Sequence, residues 1–243
     1  MFMGCSKIKD FPYELPKLSQ SAMMFSFSGI KEFKINMPSL KCGTFNKMDL
    51  TMDANEIILQ MIFKITHGMF SNSELETFVS DMPELTLGDG MFAGCSNLTT
   101  FVGSLENLKS GRNMFGRGIK FNAYEQLSDV LNAFFVCILG SGLMNGDDII
   151  NYIEEIPNSA PKLTPMSVIN ILDTLPDRGV PAPEIDFSDG EQYMINIEGI
   201  ITIGIGAYEE NRDEFANEIG FDSFDELTAA FNEKGWAVEW IFQ

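Results

Sequence analysis

The sequence predicts an α/β solenoid in which each coil gives one short strand, helical segments lie on the opposite side, and a helix and strand cap the C-terminal end. Three observations predict it. A unit of the form Met-Phe-x-Gly-Cys-Ser-x-Leu-x-x-Phe-x-x-x-Leu-x-x-Leu runs from Met1 to Leu18 and returns from Met91 to Leu108. Its apolar positions recur as Ile8/Phe11/Leu15/Leu18, Ile30/Phe33/Met37/Leu40, Leu75/Phe78/Met82/Leu85 and Leu98/Phe101/Leu105/Leu108, whose first members lie 22, 45 and 23 residues apart. The second half alternates helical and strand periodicities. A repeat of 20 to 30 residues whose units cannot bury their apolar faces alone stacks them into one continuous core.

The elements follow in order. The stretch after the cysteine, as in Leu98 to Gly103, is β-compatible and bounded by turns, which gives one strand per coil. Met24-Phe25, Met69-Phe70, Met91-Phe92 and Met114-Phe115 fill the far side of the interior, since long flexible and aromatic side chains fill irregular volume. The double interval of 45 residues calls for a divergent unit near 50–66. Asp53 opens a helix there, with Ile57, Ile58, Met61, Ile62 and Ile65 on one face. Further helices are expected over Leu127 to Leu139, at Ile149 to Ile156 and from Thr164-Pro165 to Leu175, the last two closed by Pro157 and Pro176. Ile195 to Ile205 supplies one or two strands, Ser223 to Glu226 forms a capping box for a helix ending at Gly235, and Trp236 to Phe242 alternates as a terminal strand. The chain divides into coils over 1–122 and helix-strand repeats with the cap over 123–243, continuous with each other.

Charge narrows the partners. With 16 basic and 35 acidic residues the net charge is −19, a balance that disfavours phosphate backbones and anionic lipid. Solubility for a chain carrying 21 Phe and 15 Met is reason enough for the acidity. The longest apolar candidate, Val130 to Leu143, is broken by Asn132, Gly140 and Ser141, so no membrane insertion is expected. Met1 to Ser6 resembles a lipoprotein cleavage box, but the same hexad recurs at Met91 to Ser96 and no basic or apolar segment precedes it. The array opens in mid-unit, which calls either for a preceding portion that is missing or for a first coil docked on another chain or a like subunit.

Chemistry is sparse. Cys5, Cys42, Cys95 and Cys137 form no C-x-x-C pair, and Cys5 and Cys95 share one place in the unit, which points to buried thiols. His67 is the single histidine, insufficient for a metal site and reading as an ordinary turn or surface residue in place of a triad member. Asp147/Asp148, Glu154/Glu155 and Glu209/Glu210 are uninformative in so acidic a chain. Glu184 to Glu191 has oxygen ligands for calcium around Gly190, with Asp186 and Asp189, but misses the EF-hand register by one residue and reads as an acidic turn. Glycine pairs such as Gly88-Asp89-Gly90 lack the context of a nucleotide-binding loop. We expect no catalytic residue, cofactor or metal.

The unit is similar to the bacterial surface leucine-rich repeats of the BspA or Treponema type, which place an aromatic pair before x-x-Cys-x-x-Leu-x-x-Phe/Ile. Met91 to Leu108 and Met1 to Leu18 carry the likeness best; Met24 to Leu40 lacks the cysteine and one residue, and Ser73 replaces it in the next unit. The Gly-Cys-Ser form, with Ile-Thr-Ile-Gly and Lys-Gly-Trp-x-Val near the close, also resembles repeat proteins of gut bacteria and their bacteriophages. The resemblance implies adhesion, host recognition or a place in a virion, and supplies no catalytic residues.

The expectation is a non-enzymatic scaffold for macromolecular binding, a phage virion component or bacterial surface adhesion protein, whose partner is a protein or a cell-surface glycan. Strand neighbours chosen by alternation form the expected surface: Lys9, Asp10, Lys31, Glu32, Glu76, Thr77, Thr99 and Thr100. Alternatives are an intracellular inhibitor of a host protein, since no export signal is present, and a carbohydrate-processing enzyme using a carboxylate cluster of the second half.

Overall fold

The computed structural model describes residues 2–44, 68–118, 160–185 and 198–243. His67, Cys137, Asp186, Asp189, and the helices expected at 53–65, 127–139 and 149–156 lie outside them.

Phenylalanines at fixed places in each unit set the interior. Phe2, Phe25, Phe70, Phe92 and Phe115 form one column of near-parallel rings, with neighbouring centroids 5.5, 5.3, 5.6 and 5.2 Å apart. Phe11, Phe33, Phe78 and Phe101 form a second, spaced 6.5, 5.6 and 5.5 Å. The columns meet edge to face, as in Phe78 against Phe92 at 4.7 Å and 69°. Parallel strands lie about 4.8 Å apart, so identical residues at one register position are brought within stacking distance. Around the rings, Ile30, Leu75 and Leu98, Met37, Met82 and Leu105, and Leu40, Leu85 and Leu108 are buried.

Three backbone ladders hold the units in register. β1 (Glu32–Phe33), β2 (Thr77–Ser80) and β3 (Thr100–Gly103) form a parallel sheet in that order, pairing Phe33 with Phe78 and Phe78 with Phe101. Single parallel bridges link Gln20, Cys42, Leu87 and Ser110. On the third side, the amides of Phe2, Phe25, Phe70 and Phe92 donate to the carbonyls of Met24, Met69, Met91 and Met114 at 2.8–2.9 Å. Each ladder steps by the repeat length except once, where it spans about twice that length. The two units flanking the 45-residue interval are direct neighbours on all three, through Phe33–Phe78, Cys42–Leu87 and Phe25–Met69, so the unit expected between them does not interrupt the stack.

The Met-Phe segments are turns bracketed by left-handed residues. Gly90 (φ 63°) and Gly94 (φ 72°) flank Met91-Phe92, while Met23 (φ 53°) and Phe27 (φ 56°) take those places around Met24-Phe25. Among the described residues of 2–118 no helix is present; turns occupy the side away from the strands.

The bridge ladder passes into a second parallel sheet. β4 (Gly111–Phe115) follows Ser110 and pairs with β5 (Ile200–Gly204), which pairs with β6 (Ala237–Ile241). Asp89 and Arg112 are buried where β4 begins; Arg112 Nη2 donates to Asp89 Oδ2 at 2.9 Å, and Ser110 Oγ and the Arg112 amide donate to Oδ1. A buried carboxylate and guanidinium are tolerable only when paired and hydrogen-bonded in this way.

Helices close this end. α1 (Pro165–Thr174) begins after Thr164, with proline at its first turn, but the Thr164 hydroxyl bonds Ser167 Oγ in place of a backbone amide. Lys234 Nζ donates to the carbonyls of Leu172, Asp173 and Leu175, supplying a cation and donors to the C-terminal end of α1. α2 (Arg212–Asn217) follows a short 3₁₀ turn at Glu209–Asn211, and α3 (Phe224–Glu233) has the expected N-cap: Ser223 Oγ accepts from the Glu226 amide. Glu226 reaches back to the Asp222 amide, one residue before the N-cap. Gly235, at φ 82°, follows the end of α3, and Phe224 and Phe231 pack edge-on against Trp240 of β6.

Phe92 touches four rings, two in each column. Phe92→Ala is expected to lower unfolding stability by about 3–5 kcal/mol in chemical denaturation, and Phe2→Ala, at the half-buried end of the same column, by clearly less. Gly94→Ala combines a left-handed backbone with a Cβ in clash with Asn72 Oδ1 and 2.6 Å from Gly118 Cα; Gly4 has the same backbone sign and open space. Gly4→Ala should therefore cost about 1–2 kcal/mol and Gly94→Ala distinctly more, measured by the same titration.

Candidate binding face and cleft

The first sheet leaves one side chain in two pointing away from the rings, and those side chains line up across units. Glu32, Thr77 and Thr100 share one register row. In the row beside it, the Lys31 amide donates to the Lys9 carbonyl, the Glu76 amide to Lys31, and the Thr99 amide to Glu76. The structure thus brings seven of the eight residues predicted from alternation into two adjacent rows, with Asp10 exposed next to Lys9. Lys9, Asp10, Lys31, Glu32 and Thr99 are exposed; Glu76, Thr77 and Thr100 are half-buried.

Charges on this face are paired, two pairs across units and one, Lys34 with Glu32, within a unit. Lys9 Nζ lies 3.0 Å from Glu74, Lys31 Nζ 2.5 Å from Glu76, and Lys34 Nζ 2.7 Å from Glu32. The Glu76 hydrogen bond and its negative charge raise the Lys31 ammonium above its ordinary value. Exposed pairs of this kind contribute little to stability because solvent screens them, so their effect is to order side chains more than to hold the fold. Toward β3 the face becomes neutral, with Thr99, Thr100 and the exposed Val102.

α1 covers the outer edge of β3. Ser167 Oγ accepts from the Phe101 amide at 2.9 Å and donates to the Thr99 carbonyl at 3.0 Å; Asn170 Oδ1 accepts from the Gly103 amide at 3.0 Å. The amides of Lys162 and Thr164 donate to Leu98 and Thr99. An open strand edge is a template for unwanted pairing, and here side chains of a helix satisfy it.

Where the rows end, a cleft of about 450 Å³ opens between Thr99, the segment leading into α1, and the chain around α2. Its floor includes the buried Leu163 and Phe215, and its rim carries Lys162, Tyr208, Asn211, Glu214, Glu218 and Gln243. Of the residues predicted for binding only Thr99 lines it. The others were missed because their signal is weak: α2 is short, and Tyr208 to Asn211 reads as a polar connection after a strand.

The cysteine place forms a column that is buried at Ser28, Ser73 and Cys95 and half-buried at Cys5. The amides of Cys5, Ser28, Ser73 and Cys95 donate to the phenylalanine carbonyls of Phe2, Phe25, Phe70 and Phe92, so Ser28 fills the place in the unit that lacks a cysteine. The Cys95 thiol donates to the Phe70 carbonyl at 3.0 Å and contacts Ser73 Oγ at 3.4 Å. Among the described residues no cluster of three or more His, Cys, Asp and Glu has the arrangement of a metal site, and no helix is long and apolar enough to cross a membrane.

Compared with known proteins, the chain matches no family model, no curated protein and no solved structure.

Burial pushes the Cys95 thiol up to about 11, against 9.0 for an unperturbed thiol. Alkylation by iodoacetamide at pH 8, mapped by mass spectrometry, should therefore modify the half-buried Cys5 well before Cys95. The folded chain holds the Cys95 proton to a higher pH than the unfolded chain does, so unfolding releases a proton between those two values, and this group's contribution to stability falls as pH rises through that window.

Proposed function

We propose that the chain is a non-enzymatic scaffold, built as a leucine-rich-repeat-like solenoid, that binds another macromolecule through the two rows led by Lys9, Lys31, Glu76 and Thr99 and by Glu32, Thr77 and Thr100. The observation that carries this reading is the unbroken register of those rows over stacked units. A surface whose backbone is fixed by three ladders and whose charges are already paired loses little conformational freedom on binding. The resemblance to bacterial surface and phage repeats makes a virion or a bacterial surface the proposed setting. The half-exposed Phe2, Ile8, Phe11, Leu15 and Leu18 at the first unit are consistent with docking on another chain or a like subunit.

Co-isolation tests it. Immobilised wild-type chain and a Lys31→Glu/Thr77→Arg/Thr100→Arg variant are exposed to extracts of the producing cells and their particles, and bound proteins and glycans are identified. A partner held by the wild type and depleted roughly tenfold by the variant, with circular dichroism and melting unchanged, is the expected result. Equal capture by both, or turnover of glycosides by the purified chain, would contradict the proposal.

A further inference from the structure

The cleft at the end of the rows holds polar side chains that the fold does not use. Among the described residues, Lys162, Tyr208, Asn211, Glu214, Glu218 and Gln243 take no part in any side-chain hydrogen bond or ion pair, in contrast to the lysines of the face. Its backbone, however, is satisfied: the amides of Lys162, Thr164, Gly206, Asn211 and Gln243 all donate within the chain. The surroundings are therefore rigid and the unspent capacity belongs to side chains alone. Glu214 in α2 and Glu218 at its C-terminal cap lie one helical turn apart, and both line the cleft. Tyr208 is 56% exposed at the rim, leaving a ring face open.

We infer that this cleft is a binding site for a neutral sugar unit. The choice follows from the donors and acceptors present. Glu214 and Glu218 only accept, Lys162 only donates, and Asn211, Gln243 and the threonine and tyrosine hydroxyls do both. Every hydroxyl of a sugar likewise donates and accepts, and its ring offers an apolar face to Tyr208. An inorganic anion would meet two carboxylates, a bare cation would meet the Lys162 ammonium, and an apolar ligand would leave the whole rim without partners. The volume lies within the roughly 300–1,000 Å³ usual for small-ligand sites. Nothing here requires catalysis, so the site adds recognition to the scaffold. It rests on the reading of the chain as a binding protein and names a glycan as what its neutral end meets.

The test uses the purified chain with methyl glycosides of neutral hexoses and with neutral oligosaccharides, followed by saturation-transfer NMR and calorimetry. Inorganic phosphate, calcium and free amino acids are the competing probes. Saturation transfer to a neutral saccharide, with affinity reduced roughly tenfold in both Tyr208→Ala and Glu214→Gln/Glu218→Gln, is the expected result; tighter binding of oligosaccharides would mark the end of a longer glycan. No neutral saccharide bound, binding indifferent to both variants, or binding only of phosphate, calcium or amino acids would overturn the inference. The Lys31→Glu/Thr77→Arg/Thr100→Arg variant separates the two ideas. If it still loses a partner while no saccharide binds, the cleft assignment alone fails; if neither holds, both do.

Discussion

Everything in the first part of the molecule depends on the stacking of phenylalanine rings in two interlocked columns. The spacing of hydrogen-bonded strands dictates how far apart equivalent side chains sit, and a flat ring is the shape that fills such a layer while still touching its neighbours above and below. Edge-to-face contacts between the columns then fix each ring's rotation. Because successive rings in a column belong to different units, the register of one unit is transmitted to the next through the core as well as through the backbone. The leucine and methionine positions around the rings complete the layer, and the cysteine or serine beside them ends the Met-Phe turn with a hydrogen bond to a phenylalanine carbonyl.

The β3 edge of this interior and its first described unit are covered differently. At the β3 edge, Ser167 and Asn170 of α1 take up backbone donors that a further strand would otherwise satisfy. The bridge ladder continues instead into β4, β5 and β6, and the aromatic cluster of Phe224, Phe231 and Trp240 closes that sheet with α3. At the first unit the equivalent rings, Phe2 and Phe11, are only partly covered, and Tyr13 stands largely exposed against Phe11. The side chains proposed for recognition lie along the stack between these two, and the proposed sugar site lies where the covered edge begins.

Much of this was legible in the sequence because the repeat is a packing rule. Four apolar positions at fixed offsets identify residues that are buried from the second unit on and half-buried in the first, and the positions between strand neighbours identify two rows of exposed and half-buried side chains. The helix after Thr164, the Ser223 cap and the last strand were legible from local chemistry that needs no distant partner. Two features were not. The 45-residue interval gives no sign that Phe33 pairs directly with Phe78, since chain length alone does not say whether residues are added between layers or outside them. The cleft is assembled from segments around 99, 162–164, 206–218 and 243, and no local pattern announces that these meet.

The most direct test of the stacked interior is proton NMR of aromatic contacts in the intact chain. Nuclear Overhauser contacts between the rings of Phe70 and Phe92, and between those of Phe78 and Phe101, join residues a repeat apart and are expected to be strong. Their absence, with these rings showing the averaged shifts of solvent-exposed side chains, would contradict the account at its root.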